Sequence, residues 1–596
     1  MNLLKFSSLV VCMMMNFVLS AQPKQIKHGE RVSWFKQARF GVFIHYGMSS
    51  FYEGKYKGEI LRNPYPMLYS EWIQQHNRIP KADYIQHVKR LSISEQEVDA
   101  WVSMAKRSGA GYVILTTKHH DGMALWPSAV SDYTLNKLSG KPLDIVGTYV
   151  KACRKYGLKV GFYYSHWLDF DHPNGTGFYK QINKNQDVYD VYWREKCLPQ
   201  VAELITNYSP DLFWFDNWTN INDSTLHTPR QVKQLLTLIR KMDDSIVVNG
   251  RLGIGPQVGG EGFDYLTLGD NEIPKEKINE PWESAGTVNN AWAHHDYDDE
   301  YKSNTHLLRN LIACVANGGN YALNFGPMFD GRIHPEAQSR FEAIGEWLKI
   351  YGESVYGCST SPFTDQDLDF GKITTKSIDG RNYLYLHVYH WPVDGLLKLS
   401  GLKNTVKSAQ ILGQLNPLDI EQSGLYTQIK LPSSPPSYLD TPIKLEIDGE
   451  VELEQGLVQP TMLGGYNLNP INANRVEALK TFMKYQGYLP ANACEWKTNS
   501  SLSWKVYLPQ TGRYRLQISY GATEANADQS YQVELNGKVA GVWNVESTGR
   551  DHEFLSRDLT TLTVDKPGTY TIALRPTGIV KGELMKFIWL YTEKSE

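Results

Sequence analysis

Short apolar blocks alternate with longer stretches of helical periodicity through the first 350 or so residues. Gly41-Val-Phe-Ile-His-Tyr46, Gly111-Tyr-Val-Ile-Leu-Thr-Thr117, Leu158-Lys-Val-Gly-Phe-Tyr-Tyr164, Asp211-Leu-Phe-Trp-Phe-Asp216, Ser245-Ile-Val-Val-Asn249 and Tyr321-Ala-Leu-Asn-Phe325 are dominated by β-branched and aromatic residues. Such runs read as buried strands. Between and after them, residues 95–108, 144–156, 190–208, 231–242, 307–316 and 336–351 space their apolar positions as helices with one buried face do. Repeated β-α units predict a parallel sheet. A (β/α)8-like barrel is expected over an open sheet, because polar or aromatic residues close nearly every strand at the same end.

After Gly357 the period falls to two. Residues 372–389 and 398–447 alternate, with turns at Asp379-Gly380 and Asp448-Gly449, and further period-two runs occupy 504–508, 512–520, 531–537 and 568–574. The expected organisation is an α/β chain: a (β/α)8-like catalytic domain over residues 28–357, followed by two all-β domains. The first is a β-sandwich over 358–450. The second, over 455–596, has the look of a jelly-roll sugar-binding module, and a purely structural role stays equally open. At 596 residues the chain exceeds what one core supports.

The amino terminus departs from this texture. Met1 to Lys5 gives a short charged start, residues 9–19 are apolar, and Val18-Leu-Ser-Ala-Gln22 offers small residues for cleavage. That is the pattern of a secretory signal peptide over residues 1–21, too short for a stable membrane span. No later segment is apolar for long enough to cross a bilayer. A net charge of -3 gives no basic footprint for nucleic acid. Cys153, Cys197, Cys314, Cys358 and Cys494 remain after the signal, an odd number without metal-like spacing, and are expected as buried small hydrophobes. Asn217-Trp-Thr219 would accept a glycan directly beside Asp216, which points to a bacterial periplasmic or secreted protein.

Four strand ends carry related chemistry. The first run ends in His45-Tyr46, with Glu71-Trp72 in the long loop beyond; the second in Lys118-His-His-Asp-Gly122; the third in Tyr163-Tyr-Ser165; the fourth in Asp216. Each alone suits a structural role: a lone Asp caps a helix, a lone His satisfies a core. Together they suit a polar pocket, in which imidazoles bond vicinal hydroxyls and indoles cover a sugar's C–H face. Twelve per cent aromatics, with 16 Trp and 36 Tyr, agree with sugar binding but also with a β-rich chain. His119, His120 and Asp121, like His294-His-Asp296, have metal-ligand chemistry, yet consecutive histidines are poor chelators of one ion. No metal and no organic cofactor is expected. Neither a phosphate-binding glycine loop nor a serine nucleophile elbow is present.

These motifs resemble glycoside hydrolase family 29, the α-L-fucosidases. The resemblance lies in Trp34-Phe35, Arg39-Phe-Gly-Val-Phe-Ile-His-Tyr-Gly47, Glu71-Trp72, Lys118-His-His-Asp-Gly122, Leu125-Trp-Pro-Ser128, Gly161-Phe-Tyr-Tyr-Ser165, Trp214-Phe-Asp216 and Leu323-Asn-Phe-Gly-Pro327. It implies a barrel followed by a β-sandwich, a fucosylated glycan as substrate, and hydrolysis with retention through one nucleophilic carboxylate and one acid/base. Asp216 matches the nucleophile. His45, Glu71, Trp72, His119, His120, Tyr163 and Arg251 match the sugar pocket, and Trp292 is expected against the ring's apolar face. Glu272, in Gly269-Asp-Asn-Glu-Ile-Pro274, is the first candidate for the acid/base, and Glu283 in Pro281-Trp-Glu283 the second.

The chain departs from the family pattern in two places. Asn217 stands where a glycine is common after the nucleophile, and Ala291-Trp-Ala-His-His295 replaces the usual Trp-Gly-Tyr. Both bear on the leaving-group side. A retaining enzyme for α-L-galactosides and a sugar-binding protein on an inactive barrel are the competing readings.

Overall fold

The structure, a computed structural model, describes residues 26–61, 69–175, 186–217, 229–253, 262–274, 277–363, 368–476, 480–482 and 491–595. The expected signal segment, Trp218 and Thr219 lie outside them. The chain divides into two compact units, the first spanning Met1–Ile273, Ile278–Cys314 and Gly319–Lys349.

Eight strands form one parallel sheet in the first unit: β1 (Phe40–Ile44), β2 (Tyr112–Lys118), β3 (Lys159–Tyr164), β4 (Leu212–Phe215), β5 (Val247–Val248), β6 (Leu266–Thr267), β7 (Trp282–Thr287) and β8 (Asn320–Phe325). β1 pairs with both β2 and β8, and every pairing is parallel. The ring closes between β5 and β6. There Asp264 N donates to Val248 O at 2.9 Å and Gly250 N donates to Tyr265 O at 2.7 Å. All residues of β1, β2, β4, β7 and β8 are buried, which is why the apolar runs are continuous rather than alternating. Phe43, Tyr112, Ile114, Tyr163, Trp214, Val247 and Ala285 belong to one core cluster.

The principal helices are α1 (Glu95–Arg107), α2 (Ile145–Tyr156), α3 (Leu198–Tyr208), α4 (Pro229–Met242), α5 (Asn304–Ala316) and α6 (Pro335–Tyr351). Their ends are written locally. Ser94 and Glu97 form a capping box at α1; Asp144 caps α2, which stops at left-handed Gly157. The single helix expected over 190–208 is instead α-helical at Gln186–Tyr192, widens to a π turn at Trp193–Cys197, and resumes as α3. Pro199 has no N–H to give the preceding turn, and the widening carries Lys196 inward to Asp169 and Asp171, at 2.9 and 3.0 Å.

Strands β5 and β6 contribute two residues each, so their seam depends on side chains. Buried Asp264 accepts from Arg31 Nη1 (2.9 Å), Arg240 Nη2 (2.5 Å) and Val248 N (2.8 Å). Asp264→Ala would leave two guanidinium groups without this partner, and breaking a buried pair costs about 3–5 kcal/mol. We expect a lower denaturant midpoint of that size. A loss under about 1 kcal/mol would mean that the main chain alone holds the seam.

The second unit takes in Pro274–Lys277, Val315–Gly318 and Ile350–Glu596. Its sheets are antiparallel: four- and three-stranded sheets enclose a core around Leu384, Leu386, Ile429 and Ile443. Six- and five-stranded sheets enclose a second core around Trp496, Trp504, Leu516 and Phe587. Cys153, Cys197, Cys314, Cys358 and Cys494 are all buried and unbridged, as expected. Among the described residues no helix is long and apolar enough to cross a membrane.

Candidate active site

Side chains alternate along a strand, and Trp214 in β4 belongs to the barrel core, so Asp216 two residues on emerges on the same side at the carboxyl-terminal rim. Its Oδ2 accepts from Tyr163 Oη at 2.9 Å and lies 3.5 Å from His120 Nε2. Its Oδ1 accepts from Arg251 Nη1 at 3.1 Å. Arg251 follows β5, and its Nη2 donates to Leu268 O (2.6 Å) and to Asp270 Oδ1 (3.1 Å). One guanidinium therefore spans two carboxylates. Burial raises the pKa of Asp216; Arg251 draws it back, and Asp270 pushes it up again.

Around this pair stand the other residues the sequence singled out. His45 and Trp292 rings are 5.1 Å apart, His45 and His119 5.8 Å, and His119 stacks on Tyr163 at 5.1 Å. Trp72 lies 4.7 Å from the His120 ring. Burial lowers the pKa of His45 to about 3 and holds His119 and His120 well below the ordinary imidazole range, so all three are neutral. Glu71 is pushed up to about 8, first by burial and further by Asp270 and Asp216, so it carries a proton at neutral pH. Its Oε2 is buried without a partner among the described residues.

The two glutamates proposed for the acid/base do not join this group. Glu272 is exposed, and its Oε2 turns back to accept from Gly269 N at 2.8 Å. Glu283 lies in β7 in register with Asn320, the first residue of β8, at the amino-terminal end of the barrel. It is fully buried between Tyr112 Oη and Trp214 Nε1, which both donate to it. The carboxylate that does reach Arg251 is Asp270, which sequence reasoning passed over. Asn271, with φ of 56°, sets the turn: its N–H donates to Ala285 O (2.9 Å), and its Oδ1 accepts from Thr287 N (2.9 Å) and Lys302 Nζ (2.9 Å). No periodicity distinguishes the acids of Asp270-Asn-Glu272. An asparagine between them, apt for the left-handed region, is the one local hint.

Glu283→Gln separates a structural from a catalytic role. Burial raises the Glu283 pKa from 4.5 to about 7 against the bonds from Tyr112 and Trp214. Below the unfolded value both states are protonated and nothing is lost. As pH rises from 4.5 to about 7 only the unfolded chain ionises, so the wild type loses roughly 3 kcal/mol there and no more above. Denaturant midpoints should shift in the variant's favour across that window, with activity kept within a few-fold. A variant stability advantage that does not change with pH would contradict this.

Outside the pocket, Glu53, His294 and Asp296 each bring a ligand-type atom within 4.8 Å of the others, the one such group among the described residues. Arg90 already pairs with Glu53 (3.2 Å), and His294 Nε2 with Asp296 (2.7 Å).

A bridged pair of carboxylates at the rim of a parallel barrel, among neutral imidazoles and indoles, is the equipment of a glycoside hydrolase. Comparison narrows the class. The sequence profile of the alpha-L-fucosidase family matches residues 16–353, and the chain belongs to that family. It is 30% identical over 423 residues to the tissue alpha-L-fucosidase of Bos taurus, covering 69% of this chain and 86% of that one. An alpha-L-fucosidase from Vibrio sp. strain EJY3 has the same fold, with a TM-score of 0.69 at 23% identity over 94% of this chain and 97% of that one. An alpha-L-fucosidase of Bacteroides thetaiotaomicron, solved as a trapped covalent intermediate with 2-fluoro-fucosyl fluoride, aligns with a TM-score of 0.63 at 25% identity, covering 72% and 98%.

Proposed function

We propose that this chain releases terminal α-L-fucose from glycans with retention of configuration, Asp216 acting as nucleophile and Asp270 as acid and then base. The carrying observation is the Arg251 fork, which holds Asp216 and Asp270 on its two terminal nitrogens. A guanidinium shared by both acids keeps them near one another, which suits a retaining pair, whose carboxyl groups work at about 5–5.5 Å. Asp216 attacks C1 of the sugar as the C1–O bond breaks, and Asp270 passes its proton to the departing oxygen. Water then attacks C1 of the glycosyl-enzyme, gives a proton to Asp270 and frees the Asp216 carboxylate.

Around the ring, neutral His45, His119 and His120 supply hydrogen bonds without opposing the positive charge that develops at C1. Protonated Glu71 can donate to a hydroxyl, and Trp292 beside His45 offers an apolar face for the deoxy methyl side. The complete carboxylate pair supports an enzyme rather than a binding protein on an inactive barrel, and the related trapped intermediate supports retention. The barrel domain would span 28–357 with sandwiches at 358–450 and 455–596, and residues 1–21 would direct export from a bacterial cell.

The test is inactivation by 2-fluoro-fucosyl fluoride followed by peptide mapping. A fucosyl label on Asp216 is expected, and a label on any other residue would overturn the assignment. On aryl glycosides, faster release from the α-L-galactoside than from the α-L-fucoside would overturn the sugar.

A further inference from the structure

Two residues of the strand-end motifs have no part in the mechanism above: Ser165, just past β3, and Asn324, inside β8. Both are fully buried. Ser165 Oγ donates to Leu168 O at 2.8 Å and lies 2.7 Å from His120 Nδ1. A hydroxyl has one proton and a main-chain carbonyl only accepts, so that proton is committed to Leu168. The Ser165 oxygen must then accept from His120, whose proton sits on Nδ1.

Asn324, in β8 beside β1, repeats the logic for His45. Its Nδ2 donates to Trp292 O at 2.8 Å, which fixes the amide orientation. The atom 2.6 Å from His45 Nδ1 is therefore the amide oxygen, and His45 too carries its proton on Nδ1. In a neutral ring the other nitrogen, Nε2, is then an acceptor. For His120 that nitrogen faces the reacting centre, 3.5 Å from Asp216 Oδ2.

We propose that Ser165 and Asn324 are positioning residues that lock His120 and His45 in the Nδ1–H tautomer, so that both imidazoles meet the sugar as hydrogen-bond acceptors. The proposal rests on reading the pocket as a sugar site. It makes the pocket selective for hydroxyls that can donate. A hydroxyl could satisfy an imidazole of either tautomer, whereas a fluorine or an ether oxygen would leave a locked acceptor unpaired.

The first measurement needs no substrate. In the full chain labelled with 15N-histidine, with His45→Gln and His120→Gln spectra giving the assignments, both rings should show a protonated Nδ1 and an unprotonated Nε2. The reverse pattern, or an averaged one, would overturn the proposal whatever the enzyme cleaves. The second measurement uses variants. Asn324→Asp keeps an acceptor for His45 Nδ1 and should keep its spectrum, whereas Asn324→Leu should lose it. Ser165→Ala should mix the His120 tautomers and lower kcat/KM for aryl α-L-fucosides by about tenfold or more.

That penalty should vanish on the deoxyfluoro analogue whose missing hydroxyl is the one His120 holds. An equal penalty on every analogue would mean that Ser165 only supports the fold, and would overturn its role. Should Ser165→Ala not fold, the wild-type spectrum still decides. Locked tautomers in a protein that cleaves no fucoside would leave the lock standing and remove the fucose reading.

Discussion

Asp216→Gly should fold and lose turnover of aryl α-L-fucosides by more than about 10⁴-fold, the scale of removing a nucleophile that acts with its partners as a unit. Folding should survive because Arg251 keeps a carboxylate partner in Asp270 and an acceptor in Leu268 O. Deleting the side chain opens space below C1 at the position the carboxylate held. Azide entering there would attack from the same face, with Asp270 still able to protonate the leaving oxygen. The product should be the fucosyl azide of inverted configuration. A variant that hydrolyses as fast as wild type, or azide rescue with retention, would rule Asp216 out as nucleophile.

Asp270→Ala carries the second large effect, and its signature lies in the leaving group. Proton transfer from a placed acid is worth roughly 10²–10⁴-fold. Fucosides of poor leaving groups, sugars above all, should therefore lose that much in kcat/KM, while an activated dinitrophenyl fucoside loses little. The same carboxylate is needed to activate water, so the fucosyl-enzyme should accumulate and appear as a burst. Azide needs no base; it should discharge the intermediate to the retained azide, opposite in configuration to the Asp216→Gly product. Glu272→Gln should show none of this. If the leaving-group dependence follows Glu272 instead, the proposed acid/base is wrong.

Most of the pocket was legible in the chain because its residues sit at the ends of strands whose apolar runs are unmistakable. His45, His119, His120, Tyr163 and Asp216 follow β1, β2, β3 and β4 directly or close them, so finding the strand found the residue. Where the strands are short or polar, the sequence carries less signal. β6 is two residues long, and β7 reads Trp282-Glu-Ser-Ala-Gly-Thr287, small and polar because it packs among large neighbours. An added Cβ at Gly286 would meet Tyr321 at 2.5 Å. The acid/base candidate fell in this stretch. Glu272 and Asp270 differ there only by the turn at Asn271, and Glu283 is an inward residue at the amino-terminal end, which no spacing reveals. The π turn was likewise invisible to a 3.6-residue period.

The five enclosed thiols have a consequence for how the folded chain meets thiol reagents. Burial pushes Cys153 and Cys197 up to about 12 and Cys314 higher still, so at physiological pH these sulfurs are neither nucleophilic nor easily oxidised. None of the five is bridged, so the packing within these two units as described rests on no covalent cross-link among these cysteines. Cys153, Cys197 and Cys314 should therefore resist an alkylating reagent in the folded chain and react once it is denatured.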